Sequence, residues 1–310
     1  MLKQVIEILD LLDRGTITGE EIVNVFSKYQ YVHASTITVS GSEGTTDFVK
    51  IIIEGTDGKT AQGISPTIGV IGRLGGIGAR PNYIGMVSDG DGAVAALSIA
   101  LKLSEMGLYK DRLPGDVIIT THICPNAPVE LHEPVDFMGS PVDMEQMNQY
   151  EVLEEVDAIL SIDTTKGNNI ITRKGFAFSP TVKEGYILRV SQDLINIMEI
   201  TSGQSASTFP LSIQDITPYS NNLYHINSIL QPSTATKAPV VGIAITTETA
   251  VPGCATGASH EIDIAEVGRF AIEVAKQFTA GIIHLYDENE YKKLIKLYGK
   301  MNILQTNPKV

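Results

Sequence analysis

Four short apolar runs, each followed by helix-forming sequence, constrain this chain more than anything else in it. The first half of Pro66 to Gly78 (PTIGVIGRLGGIG), DVIITT at Asp116–Thr121, AILSI at Ala158–Ile162 and the segment Pro239–Ile245 read as strands. Runs apolar throughout suit strands covered on both faces. The helices between them are marked by Val94, Leu97 and Leu101 at i, i+3 and i+7, by helix-prone residues Val142 to Val156, by Gln192 to Ile200, and by a long segment from Ile262 to about Ile282. Strand, helix, strand, helix implies an α/β fold: a mixed, mainly parallel sheet sandwiched between helices.

Other elements are added around this frame. Val5, Ile8, Leu9 and Leu12 form an opening helix that Gly15 stops, and Thr18 with Glu21 has the spacing of a capping box for a second. STITVSG and FVKIIIEG alternate as strands do, and Asp57-Gly58 marks a tight turn. A terminal helix is expected over Glu288–Leu297, with Tyr291, Leu294, Ile295 and Tyr298 on one side. No linker, repeat or low-complexity stretch interrupts the chain. Residues 1–310 read as a single α/β domain, with 1–34 as an amino-terminal helical element packed on it or at an oligomer interface.

Charge and composition exclude several function classes. With 23 basic and 36 acidic residues the net charge is 23 − 36 = −13, so phosphate backbones and anionic lipid are opposed by the chain's own field. The absence of Trp and 6% aromatic content argue against stacking platforms for single strands. The opening residues carry Glu7, Asp10 and Asp13 within their apolar run, unlike a signal peptide, and no stretch reaches the length of about 20 apolar residues that a membrane span needs. Cys124 and Cys254 are too few for a disulfide framework, which makes a reducing, cytoplasmic setting the expectation. The expected partners are a small molecule or short peptide as substrate and a second copy of the chain, with neither nucleic acid nor membrane.

Several motifs fail. Gly58-Lys59-Thr60 lacks the upstream glycine of a P-loop, since Ile53 stands in its place, and His132-Glu133 begins like a zincin helix that Pro134 would break. Neither Gly-x-Ser-x-Gly nor Gly-x-Gly-x-x-Gly occurs. What survives is a set of polar residues just beyond predicted strand ends, where open α/β sheets gather ligand groups: Asp89 and Asp91 in VSDGDG, His122 and Cys124 in THICPN, Asp163 in SIDTTKG, and His260 with Glu261 in GASHEID. Carboxylates and imidazoles arriving from several strand ends are what a zinc site takes. Each residue also has a plainer reading. Either aspartate could cap the following helix, Asp163 could shape a turn, His122 could be a hydrogen-bonded structural histidine, His260 an ordinary helix start, and either cysteine a small buried apolar residue.

Asp89-Gly90-Asp91-Gly92 followed by AVAALSIALKLSEMG, then DVIITTHICPNA, VDAILSIDTT and the stretch from Ala238 to Phe278, resembles in the same order the co-catalytic zinc aminopeptidases and carboxypeptidases. The whole chain, notably PTIGVIGRLGGIGARPNYIG and PGCATGASHEID, also resembles a bacterial and archaeal family known mainly as a domain of unknown function. The first resemblance implies one or two divalent ions, zinc or else manganese or cobalt, a metal-activated water, and hydrolysis of an amide bond in a peptide-like or amino-acid-derived substrate. It matches Asp89 to the bridging aspartate, Asp163 to the later acidic ligand and His260 to the final histidine. Two features of that family are missing: the His-x-Asp pair at the end of IGVIGRLGG, and the tandem glutamates near Pro125-Asn126.

The metal set expected on this reading is Asp89, Asp91, His122, Asp163 and His260, with His122 replacing an absent ligand. Glu130, His132, Glu133 and Glu248 are candidates for the displaced general base, and Arg73, Arg80 and Lys166 for binding a substrate carboxylate. Cys254 or Cys124 would be the nucleophile in a metal-free cysteine-dependent amidohydrolase. The remaining alternatives are a degenerate, non-hydrolytic relative that binds a small peptide-like ligand, and a purely structural role.

Overall fold

The computed structural model describes residues 1–73, 76–226 and 228–307; Leu74 and Gly75, in the glycine-rich stretch read as loop, lie outside the described residues. The strands are β1 (Val32–Gly41), β2 (Gly44–Ile53), β3 (Ile68–Gly72), β4 (Val117–Ile123), β5 (Val129–Glu130), β6 (Phe137–Met138), β7 (Ala158–Thr164), β8 (Gly175–Phe178), β9 (Val182–Lys183), β10 (Tyr186–Ile187) and β11 (Val240–Thr246). The α-helices are α1 (Leu2–Leu12), α2 (Gly19–Phe26), α3 (Asp91–Leu108), α4 (Met144–Glu151), α5 (Gln192–Ser202), α6 (Glu261–Thr279) and α7 (Glu288–Tyr298).

One sheet runs in the order β1-β2-β4-β3-β7-β11-β9-β10, with β8 also paired to β11. The four apolar runs form its parallel centre: β4 with β3, β3 with β7, and β7 with β11. The β1–β2 hairpin is added antiparallel through β4. Helices α1, α3, α5 and α6 cover one face, whereas the other is covered by α4 and a 3-10 segment, Ser228–Thr234, that touches β7 and β11. The expected α/β sandwich is therefore the observed one. Among the described residues no helix is long and apolar enough to cross a membrane.

Local chemistry accounts for most boundaries. Thr18 and Glu21 form the capping box, each side chain accepting from the other's backbone amide. Asp143 and Gln146 do the same for α4, which ends at Glu151 rather than continuing toward Val156. The amides that could have suggested a phosphate loop are satisfied internally: Asp116 accepts from Gly55 N at 2.8 Å, Thr60 N at 2.9 Å and Thr60 Oγ1 at 2.7 Å.

Helix α3 is buried nearly all round, between the sheet and helices α1 and α6. Each of Leu97, Ile99 and Leu101 is fully buried there, contributing on the order of 2 kcal/mol by transfer from water. Its start presses against the strand ends. A Cβ at Gly92 would lie 2.6 Å from the Arg73 carbonyl oxygen and 2.8 Å from that of Ile162. Gly92→Ala should therefore lose about 1–3 kcal/mol in urea denaturation. Gly107→Ala in the same helix, whose Cβ would approach nothing nearer than Arg112 Cγ at 3.8 Å, should be neutral or stabilising.

Candidate functional site at the carboxyl ends of the parallel strands

Both β4 and β7 run two residues further than their apolar runs suggest, and this decides where the polar residues point. His122 lies within β4 opposite Phe48, and Asp163 within β7 opposite Ala244. Alternation along a strand turns both toward the face covered by α4 and the 3-10 segment. Asp163 is fully buried, its Oδ1 accepting from Thr164 N at 2.6 Å and its Oδ2 from Ser228 Oγ at 3.2 Å. Burial pushes its carboxyl up to about 7, and the nearby charge of Asp89 adds to the effect.

Asp89 occupies the turn leading into α3 without capping it. Its Oδ2 accepts from Met138 N at 2.7 Å, its own amide donates to Gly253 O at 3.1 Å, and no described donor holds Oδ1. Gly253 is packed so tightly here that a Cβ would lie 2.3 Å from Oδ1. Burial raises the Asp89 carboxyl to about 6, opposed by the Met138 hydrogen bond and reinforced by Asp91.

Asp91, the first residue of α3, faces elsewhere. Its Oδ2 lies 2.5 Å from Lys166 Nζ, its Oδ1 accepts from Ser259 Oγ, and Lys166 Nζ also donates to Ala258 O at 2.7 Å. Both partners of the ion pair have wholly buried side chains. His260 precedes α6 at its N-cap without a side-chain capping bond, 41% exposed, with Nδ1 at 3.7 Å from Asp263 Oδ2.

A second buried array was not foreseen. Glu151, the last residue of α4, lies 2.6 Å from Arg73 Nη1 through Oε2 and 2.7 Å from His122 Nδ1 through Oε1. Asn148 Oδ1 and Met144 Sδ receive the other Arg73 amino group. The positive charge of Arg73, joined by hydrogen bonding and charge from His122, holds the Glu151 carboxyl below its ordinary range against the opposing effect of burial.

A cleft of about 620 Å³ opens over these strand ends. Asp89, Thr164, Thr165 and Lys166 line it, together with Tyr219, His225 and Ser228 from the long connection after α5 and with Asp136 and Glu130 from the excursion after β4. Tyr219 lies beside Ser228 and against His225, the two rings tilted by 35° with centroids 4.2 Å apart, and burial raises its phenol pKa. The signal for this trio in the sequence was only the length of the unassigned stretch 201–238, since long irregular connections are commonly functional.

Several expected roles are corrected. Arg73 and Lys166 are buried in ion pairs, which leaves neither free for a substrate carboxylate, and Arg80 donates to the carbonyls of Asp13 and Pro125. Glu130 lines the cleft, whereas Glu133 and Glu248 are exposed away from it. Cys254 is buried and its thiol pushed up to about 12 by burial and then by Asp89, Asp136 and Glu130; burial raises Cys124 too. Both thiols belong to a small apolar cluster with Ala79, Val87, Ala127 and Met138, which does not favour thiolate nucleophiles.

The expected metal set does not assemble. His122 is held by Glu151, Asp91 by Lys166 and Ser259, and Asp89 and Asp163 by backbone and hydroxyl donors. Among the described residues no three His, Cys, Asp or Glu side chains converge in a way that could hold a metal ion. Of the expected ligands, Asp91 is paired with the protein's own Lys166 and His122 with Glu151, whereas Asp89 and Asp163 have only backbone and hydroxyl donors.

Comparison with known proteins agrees with this picture at the level of fold. The sequence profile of a family described as "Protein of unknown function (DUF1177)" matches residues 37–308. No curated protein matches the sequence. Among solved structures, the Legionella pneumophila LapA aminopeptidase is similar with a TM-score of 0.52 and 10% identity, covering 91% of this chain and 71% of that one.

Two stability measurements test the arrays. Glu151→Gln removes the counter-charge of a buried arginine and should cost about 3–5 kcal/mol at neutral pH. A loss below about 1 kcal/mol would contradict the geometry described for Glu151. Since the folded Glu151 carboxyl is held low, its contribution is present above the unfolded pKa and lost as pH falls through the folded one, so parent and variant should converge in acid. Asp163→Asn should behave oppositely. Folded Asp163 keeps its proton up to about 7 while the unfolded group releases it near 4, so parent stability falls with rising pH across that window. The variant should gain on its parent from pH 4 to pH 7 in chemical denaturation, and a pH-independent difference would refute the assignment.

Proposed function

The chain belongs to the family described as protein of unknown function (DUF1177), and for it we propose hydrolysis of an amide bond in a small peptide-like or amino-acid-derived molecule, carried out by protein carboxyls at the cleft. The observation that carries this reading is Asp89: it lines the cleft, has one oxygen fixed by Met138 N and the other without a hydrogen-bond donor among the described residues, and burial raises its carboxyl to about 6. A carboxylate tuned close to neutrality can both accept and return a proton. The cleft volume suits a dipeptide-sized ligand.

Ionised Asp89 takes a proton from a water molecule as the water oxygen bonds to the substrate carbonyl carbon. Tyr219, its phenol kept protonated by burial, supplies a hydrogen bond to the oxyanion that develops. Asp89 then passes the proton to the amide nitrogen as the C–N bond breaks, giving a carboxylic acid and an amine and restoring the carboxylate. Asp163 acts indirectly. Its carboxyl keeps its own proton up to about 7, held up by burial and then by the nearby charge of Asp89, and it accepts from Ser228 Oγ beside Tyr219.

Binding without hydrolysis is the second reading, favoured by the two buried ion-pair arrays that tie up polar groups at the strand ends, where open α/β sheets gather ligand groups. One experiment separates them: incubation with a panel of dipeptides, aminoacyl amides and N-acyl amino acids, followed by NMR. Turnover should rise with pH through about 6 as Asp89 ionises, and should be unaffected by chelator. Asp89→Asn should lower it at least about 100-fold. Saturable chemical-shift changes with no product between pH 5 and pH 8 would leave binding alone, and neither response would sink both readings.

A further inference from the structure

Of the basic residues lining the cleft, Lys166 is wholly buried and differs from a surface lysine in every respect. Its four-carbon stem carries an ammonium to a cage of oxygens supplied by two other parts of the chain. Asp91 Oδ2 from the start of α3 lies at 2.5 Å, and the Ala258 carbonyl, before α6, at 2.7 Å. Ser259 Oγ closes the far side by donating to Asp91 Oδ1. Carboxylate, carbonyl and hydroxyl oxygens are the donors preferred by hard cations. The same positive charge acts on Asp89, Asp91 and Asp263 against the burial that raises all three carboxyls.

We propose that Lys166 is a tethered cation standing where a metal ion would otherwise neutralise Asp91, so that the native site needs no divalent ion and removal of the side chain exposes an oxygen-lined site for one. Lys166 is thus a positioning residue: it fixes Asp91 and the 258–259 loop, and through its charge it acts on Asp89. The inference rests on the cleft being the functional site, which the proposed hydrolysis also assumes, but its test reads metal binding and is independent of turnover.

The probe is Mn2+, followed by electron paramagnetic resonance of the free ion and competed with Mg2+. The parent protein should show no stoichiometric site. Lys166→Ala should bind one Mn2+ per chain at least about tenfold more tightly than the parent and be thermally stabilised by it, and Asp91→Asn added to that variant should abolish both effects. Lys166→Gln, which keeps a donor for Asp91 and the Ala258 carbonyl, is the control for folding and should bind no ion. If Lys166→Ala folds only when Mn2+ is supplied, the proposal is supported. Stoichiometric Mn2+ on the parent with Lys166 in place would overturn it. So would a Lys166→Ala protein that folds and binds none, or one that fails to fold with or without the ion while Lys166→Gln folds.

Discussion

The arrangement of the strand ends depends on one buried carboxylate. Glu151 ends α4 and faces two cationic or protonatable partners from two different strands' carboxyl ends, Arg73 just after β3 and His122 within β4. An isolated charge at that depth would be expelled or neutralised, and an unpaired Arg73 would cost still more, because guanidinium does not release its proton. The three therefore hold one another in place. Helix α4 is fixed over the sheet in consequence, and its Met144 and Met147 become a wall of the cleft.

Beside this array the chain carries a second buried pair, Lys166 with Asp91, and a third acidic centre, Asp89 with Asp163, that has backbone and hydroxyl donors but, among the described residues, no salt-bridge partner. The contrast explains the uneven titration. Beside Arg73 and His122 the Glu151 carboxyl is held down, whereas at Asp89 and Asp163, with only neutral donors, burial prevails and the carboxyl rises toward neutrality; at Asp91 burial prevails even against Lys166. Chemistry that needs proton transfer at ordinary pH is best served by the second kind of carboxyl.

Much of the architecture was legible in the sequence because it follows from local patterns. The four apolar runs, the capping box of Thr18 and Glu21 and the stripe of α3 depend on residues a few positions apart. The site was legible only in outline. Asp89 and Asp91 follow β3 and Asp163 and Lys166 stand at the end of β7, but their partners could not be inferred, since Arg73 and Glu151 are 78 positions apart and Lys166 and Asp91 are 75. Two extra residues in β4 and β7 redirected His122 and Asp163 to one face of the sheet, a difference that hydrophobicity does not encode because both residues are polar. Tyr219, His225 and Ser228 sit in an irregular connection without periodicity, where pattern reading has nothing to work on.

The burial of Lys166 has a consequence for how the site responds to its surroundings. A dissociable ion is present in proportion to its free concentration, so starvation or competition by another ion changes the state of the protein. An ammonium carried on the chain has no concentration and no competitor. It arrives when the strands and the 258–259 loop close around it, and it leaves only if they open. With Lys166 as the tethered cation, the countercharge of Asp91 is set once, at folding, while Asp89 and Asp163 still answer to pH.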